Sequence, residues 1–133
     1  MARSHPPTLI TLVARSLREE CGVERGTRVL LALSGGGDSM ALLHVLSLLA
    51  KKQGFSLLAH GVDHGLRAEA AAELDGAEAQ CCALGIEFSR TRLALGAGGN
   101  LQARARDARR AALSDAAAAA GASLIATAHH AND

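Results

Sequence analysis

Val29-Leu30-Leu31-Ala32-Leu33-Ser34-Gly35-Gly36-Gly37-Asp38-Ser39 is the stretch that decides the fold. An apolar strand runs straight into three glycines, an acid stands between two hydroxyls, and Met40 to Leu49 reads as a largely buried helix. Glycines let the main chain adopt positive φ and come close to a ligand, so successive N–H groups can converge on one anion. The N-terminus of the helix adds unpaired N–H groups and a partial positive charge. Ser34 and Ser39 offer hydroxyl donors. Asp38 is a poor neighbour for phosphate by charge, and its presence makes sense if it holds a Mg²⁺ that bridges the phosphates. Ser34, Gly35, Gly36, Gly37, Asp38 and Ser39 are therefore the expected phosphate-binding residues, and Asp38 is the expected metal ligand and a catalytic residue. The plain alternative is a glycine turn closed by a serine cap.

Two other phosphate loops fail on these residues. A Walker A loop needs a lysine after its last glycine, and none occurs before Lys51; a dinucleotide G-x-G-x-x-G starting at Gly35 breaks at Met40.

The chain has 133 residues, 49% of them apolar, which suffices for one domain with a core. A formal charge of +1 excludes a global nucleic-acid footprint. Charge is concentrated locally instead: Arg90, Arg92, Arg104, Arg106, Arg109 and Arg110 fall between Leu84 and Leu113, against Glu87 and Asp107. Phe55 and Phe88 are the only aromatic residues, so platforms for stacking bases are nearly absent. Cys21, Cys81 and Cys82 form no C-x-x-C pair, and they read as buried thiols of a protein in a reducing cytoplasm. No apolar stretch is long enough to span a bilayer, so no membrane partner is expected.

Along the chain, Leu9, Leu12, Val13, Leu17 and Cys21 share one helical face, and residues 1–28 read as an N-terminal helix and turn. Residues 29–133 then alternate: strand Val29 to Leu33, helix Asp38 to Lys52, strand Ser56 to Asp63, helix Ala68 to Leu84 closed by Gly85, and strand Ile86 to Leu93. A flexible Gly96-Ala97-Gly98-Gly99-Asn100 loop leads into a helix from Leu101 to Ala120, stopped by Gly121, and a strand from Ser123 to Thr127. The alternation predicts an α/β fold, a parallel sheet with helices on both faces and ligands at the carboxyl ends of its strands. Four segments reach that edge: Ser34 to Ser39, Asp63 to Arg67, the loop to Asn100, and His129 to Asp133. The pair His60 and His64 does not read as a zinc site, because four residues along a strand do not stack as they do on a helix. His44, inside the second helix, is expected to be structural.

The turn S-G-G-x-D-S resembles the pyrophosphate loop of the N-type ATP pyrophosphatases, the PP-loop family, which split ATP into AMP and pyrophosphate. Together with V-D-H-G-L-R at Val62 to Arg67, N-L-Q-A-R-A-R-D-A-R from Asn100 to Arg109 and T-A-H-H-A-N-D at Thr127 to Asp133, the chain resembles the tRNA(Ile)-lysidine synthetase family over about Val29 to Asp133. The resemblance implies an adenine nucleotide alpha hydrolase-like, Rossmann-like fold and a two-step reaction. ATP adenylates the C2 carbonyl oxygen of the wobble cytidine in isoleucine tRNA, and the amine of L-lysine then displaces AMP. It further implies His64, Arg67, Asn100, Arg106 and Arg109 as substrate-binding residues, with Arg106 and Arg109 holding tRNA phosphate or the nucleotide. His130 or Asp133 would orient lysine or accept its proton. His64 and Arg67 alternatively cap and pin their loop, and Arg104 to Arg110 alternatively form a solvated helix face.

Two residues depart from the family pattern: Arg110 stands where an aromatic is usual, and Asn132 where an acid is common. The family signature also continues past Asp133, so the chain is expected to be a fragment, incomplete after its fourth strand, inactive alone and prone to self-association through an uncovered sheet edge. The rival expectations are another adenylating enzyme of the same group, such as a tRNA thiolation enzyme, and an ATP-binding module without chemistry.

Overall fold

The computed structural model describes residues 9–34 and 36–128, with side chains from residue 12 onward. The elements are α1 (Leu9–Arg15) and a π-helical turn (Ser16–Glu20), β1 (Arg28–Leu33), α2 (Gly37–Gln53), β2 (Ser56–Asp63), α3 (Glu69–Leu84), β3 (Glu87–Arg92), α4 (Leu101–Ala120) and β4 (Leu124–Thr127). From β1 onward each falls within a residue or two of its expected span, and Gly85 and Gly121 end their helices in the left-handed conformation, at φ of 72° and 70°.

The four strands are parallel and ordered β3-β2-β1-β4. The chain therefore moves outward from β1 to β3, then returns through α4 to the other side of β1. This reversal opens a crevice between β1 and β4 at the carboxyl edge, the place where open α/β sheets bind ligands.

Burial depends on which face each strand residue meets. Val29, Leu31 and Leu33 pack with α2 and α3, whereas Leu30 and Ala32 pack with Leu113 and Ala117 of α4. An uninterrupted apolar run suits β1 because both of its faces are covered. β3, at the edge, is polar apart from Phe88 and stays largely exposed. Gly61 lets α3 close on β2, since a Cβ there would lie 2.6 Å from Leu74 Cδ2.

Three expectations need correction. Leu12 and Cys21 do not share the buried face with Leu17: Leu12 is 48% exposed and Cys21 is exposed, while Leu17 and Val23 join the core. For Cys21 the cause is the π-helical turn, closed by Cys21 N–H donating to Ser16 O (3.0 Å), which adds a residue to the turn and rotates the chain beyond it. Cys81 alone is a buried thiol; Cys82, the next residue on α3, is rotated away and exposed. His44 is an exposed side chain of α2 rather than a packed histidine.

Candidate functional site

The turn after β1 is braced by its own hydroxyls. Ser34 N–H donates to Ser39 Oγ (3.2 Å), Ser39 Oγ–H donates to Gly36 O (3.1 Å), and Gly36 N–H donates to Ser34 Oγ (3.3 Å). The two hydroxyl oxygens are 3.0 Å apart. Each hydroxyl has a single proton, and that of Ser39 goes to Gly36 O, so Ser34 is the donor between them. Both protons are used within the turn, and buried Ser39 acts as an internal brace beside exposed Ser34.

Gly36 and Gly37 do not use the positive φ expected of them. Gly36 lies at φ −75° and ψ 166°, ordinary extended backbone, and Gly37 is the first residue of α2. Packing does not demand glycine either. A Cβ on Gly37 would meet nothing within 4 Å, and one on Gly36 only Ser34 Oγ at 3.5 Å. Among the described residues, nothing requires bare main chain here. Gly35 lies outside the described residues.

Asp38 is exposed in the first turn of α2, beside the brace. A carboxylate with neighbouring serine oxygens is an all-oxygen donor set of the kind Mg²⁺ prefers, so the residues present fit that ion.

The segment after β2 is held by its own side chains. Asp63 Oδ1 accepts from Gly65 N–H (2.8 Å), and His64 Nδ1 accepts from Leu66 N–H (3.1 Å). Accepting at Nδ1 leaves the proton of neutral His64 on Nε2, free to donate outward. Arg67 pairs with Glu73 (2.9 Å) on the surface. His60 faces away from this edge, between Ser89 Oγ at Nδ1 and Thr91 Oγ1 at Nε2, both 2.7 Å. It ties β2 to β3 and approaches no metal geometry with His64.

Arg104 braces the glycine loop after β3. Arg104 donates from Nε to Gly99 O (3.0 Å) and from one terminal nitrogen to Gly96 O and Gly98 O (3.2 Å each), folding the loop around one guanidinium. Asn100 comes next, in the left-handed region at φ 55°, and makes no side-chain cap bond.

On α4, Arg106, Arg109, Arg110, Leu113 and Ser114 fall at i, i+3, i+4, i+7, i+8 and so share one helix face. They line a cleft of about 620 Å³ with Ile125 and Thr127 of β4. Thr127 pairs with Ala32 in the sheet, two residues before Ser34, so the cleft adjoins the turn. Burial pulls the Arg109 guanidinium below its ordinary value. Arg90 is elsewhere, ion-paired to Asp75 (3.0 Å) and Glu78 (2.8 Å) and 5.5 Å above the Phe88 ring.

Three of the four expected segments thus meet at one sheet edge, and Arg90, Arg104 and the Arg106, Arg109 and Arg110 group take up paired, loop-binding and cleft-lining places that the sequence does not distinguish. His130 and Asp133 lie outside the described residues. Ser114 and Thr127 join the cleft without having been expected there, although the spacing from Arg106 along α4 already carries the signal for Ser114.

The PP-loop domain profile matches residues 9–133. A tRNA(Ile)-lysidine synthase of Novosphingobium aromaticivorans is 46% identical over 106 residues, covering 80% of this chain and 32% of that protein. That of Ruegeria pomeroyi is 37% identical over 131 residues, covering 94% of this chain and 31% of the relative. For the tRNA(Ile)-lysidine synthase of Rhizobium meliloti the figures are 45% over 111 residues, 80% and 24%. The chain thus spans about a quarter to a third of the length of these curated relatives. Among solved structures, the U34-tRNA thiolase NcsA from Methanococcus maripaludis with its 4Fe–4S cluster superposes with a TM-score of 0.77 at 22% identity, over 88% of this chain and 43% of that one, a likeness of fold.

Proposed function

The chain belongs to the PP-loop domain family, and from that premise we propose that it is the ATP-activating part of a cytoplasmic tRNA(Ile)-lysidine synthetase. The observation that carries the reading is the bare main chain at Gly36 and Gly37: neither φ nor packing asks for glycine, and close approach of a ligand does. The pyrophosphate of ATP lies on Ser34, Gly35, Gly36 and Gly37 at the N-terminus of α2, with Ser39 bracing the turn from within. Mg²⁺, held by Asp38, supplies charge neutralisation there.

The turn's N–H groups stabilise the charge that develops on the departing pyrophosphate as the C2 carbonyl oxygen of the wobble cytidine attacks the α-phosphorus. The amine of L-lysine then attacks C2, AMP leaves with its electron pair, and His130 or Asp133 accepts the amine proton. His64, through Nε2–H, and Asn100 lie on the same edge to orient substrate, with Arg67 beside them and Arg106 and Arg109 in the adjoining cleft. Relatives named tRNA(Ile)-lysidine synthase support this choice of nucleophile and RNA. Self-association through the outer edge of β4 belongs to the same reading and is measured by sedimentation.

Gly36→Val tests it. The substitution should leave the thermal midpoint nearly unchanged, because a Cβ there meets only one hydroxyl, yet abolish ATP binding in calorimetry. Retained nucleotide affinity in the folded variant would overturn the assignment.

A further inference from the structure

Arginines near the carboxyl edge of the sheet differ in what they hold. Arg67 and Arg90 sit in ion pairs, and Arg104 is bound to loop carbonyls. Arg106, Arg109 and Arg110 make no ion pair or side-chain hydrogen bond among the described residues, and all three line one cleft. Asp107 lies between them in sequence but does not line it. Arg109 bears the cost of partial burial with no carboxylate to offset it. Such a rim suits an anion from outside.

The shape favours a strand over a single nucleotide. Arg106 and Arg110 are one helical turn apart, about 6 Å along α4, so a ligand that repeats its phosphates can engage both while a lone phosphate sits at one. Between them the floor is apolar, from Leu113 and Ile125, and Ser114 and Thr127 add hydroxyls. Among the described residues no aromatic ring lines the cleft to stack a base: Phe55 is buried, and Phe88 packs with the opposite face beneath Arg90. Guanidinium planes can fill that role in RNA binding.

We propose that Arg110 sets the affinity of this cleft for single-stranded RNA, taking the backbone phosphate next to the one met by Arg106, with the intervening nucleotide over the Leu113 and Ile125 floor. The inference rests on the reading of the chain as acting on tRNA, and it adds a residue to that reading.

The test is anisotropy of a fluorescein-labelled RNA stem-loop with an unpaired loop, titrated with the full chain across a salt series, with ATP calorimetry alongside. Arg110→Gln should weaken RNA binding several-fold at low salt and reduce the slope of log affinity against log salt by about 0.7, the value for one single-strand phosphate. Arg110→Lys should restore the slope, and ATP affinity should not change in either variant. Arg110 is exposed and unpaired, so both variants should fold. An unchanged slope in Arg110→Gln, with a reduced slope in Arg106→Gln, would overturn the inference and leave the tRNA reading standing. Equal losses of ATP and RNA affinity would assign the cleft to ATP and overturn it too. No RNA binding by the unaltered chain, with ATP still bound, would overturn the inference together with the RNA part of the reading.

Discussion

Ser34 Oγ and Ser39 Oγ stand 3.0 Å apart across the turn after β1, with Ser34 supplying the proton between them. The roles are unequal. Ser39 is buried and bonds both Ser34 N–H and Gly36 O, whereas exposed Ser34 can exchange its bonds with water. Ser39→Ala should therefore cost about 1–3 kcal/mol in urea unfolding, the penalty for stranding buried polar groups. ATP affinity should fall with it as the turn loosens. Ser34→Ala should cost clearly less, and equal losses would contradict the brace.

Asp38→Ala separates chemistry from folding. The carboxylate is exposed in the first turn of α2, where favourable interaction with the helix N-terminus is worth about 0.3–1 kcal/mol. The variant should remain cooperatively folded in urea unfolding while pyrophosphate release in a tRNA-dependent assay collapses. Near-normal release would reject Asp38 as the Mg²⁺ ligand.

The features legible in the sequence were local. The Val29 to Leu33 run, the glycines after it and the stops at Gly85 and Gly121 act through nearest neighbours, and they appear where periodicity put them. Pairing at a distance was not legible. Arg90 and Arg106 look alike in sequence, yet Arg90 meets Asp75 and Glu78 only because β3 packs beside α3. The π-helical turn was likewise invisible, since nothing in Ser16 to Glu20 breaks the helical spacing.

The cysteines make a simple chemical prediction. Burial and the nearby Glu78 carboxylate push the Cys81 thiol up to about 11, so it has almost no thiolate at neutral pH. Cys21 and Cys82 are exposed. A thiol reagent should label those two in the native chain and reach Cys81 only after unfolding, as peptide mass mapping can read. Rapid native labelling of Cys81 would contradict its place in the core.

Arg104 should govern order in the glycine loop. Its planar fork reaches three carbonyls, and an ammonium, being a point donor, cannot reproduce that pattern. Arg104→Lys and Arg104→Ala should both raise amide hydrogen exchange across residues 97–100, at a stability cost of about 1 kcal/mol. Protection in Arg104→Lys equal to the parent would show that charge alone holds the loop.

His60 gives the fold a pH dependence of known sign. Both ring nitrogens are bonded to hydroxyls of β3, and the groove it lines carries the acids Glu87 on β3 and Asp115 on α4. Burial prevails, lowering its affinity for a proton below that of an ordinary histidine near 6.5. Unfolded chain then binds the proton more readily than folded chain. Stability is complete above about 6.5 and is lost as pH falls through that value toward the lower folded one, with a slope no steeper than about 1.4 kcal/mol per pH unit for one group. Most carboxylates titrate nearer pH 4, so the interval from about pH 7 to 5 isolates histidine. Urea midpoints of the parent should decline across that interval, and His60→Gln, which keeps a donor and an acceptor but does not titrate, should show a flatter profile. An identical decline in His60→Gln would place the titration elsewhere.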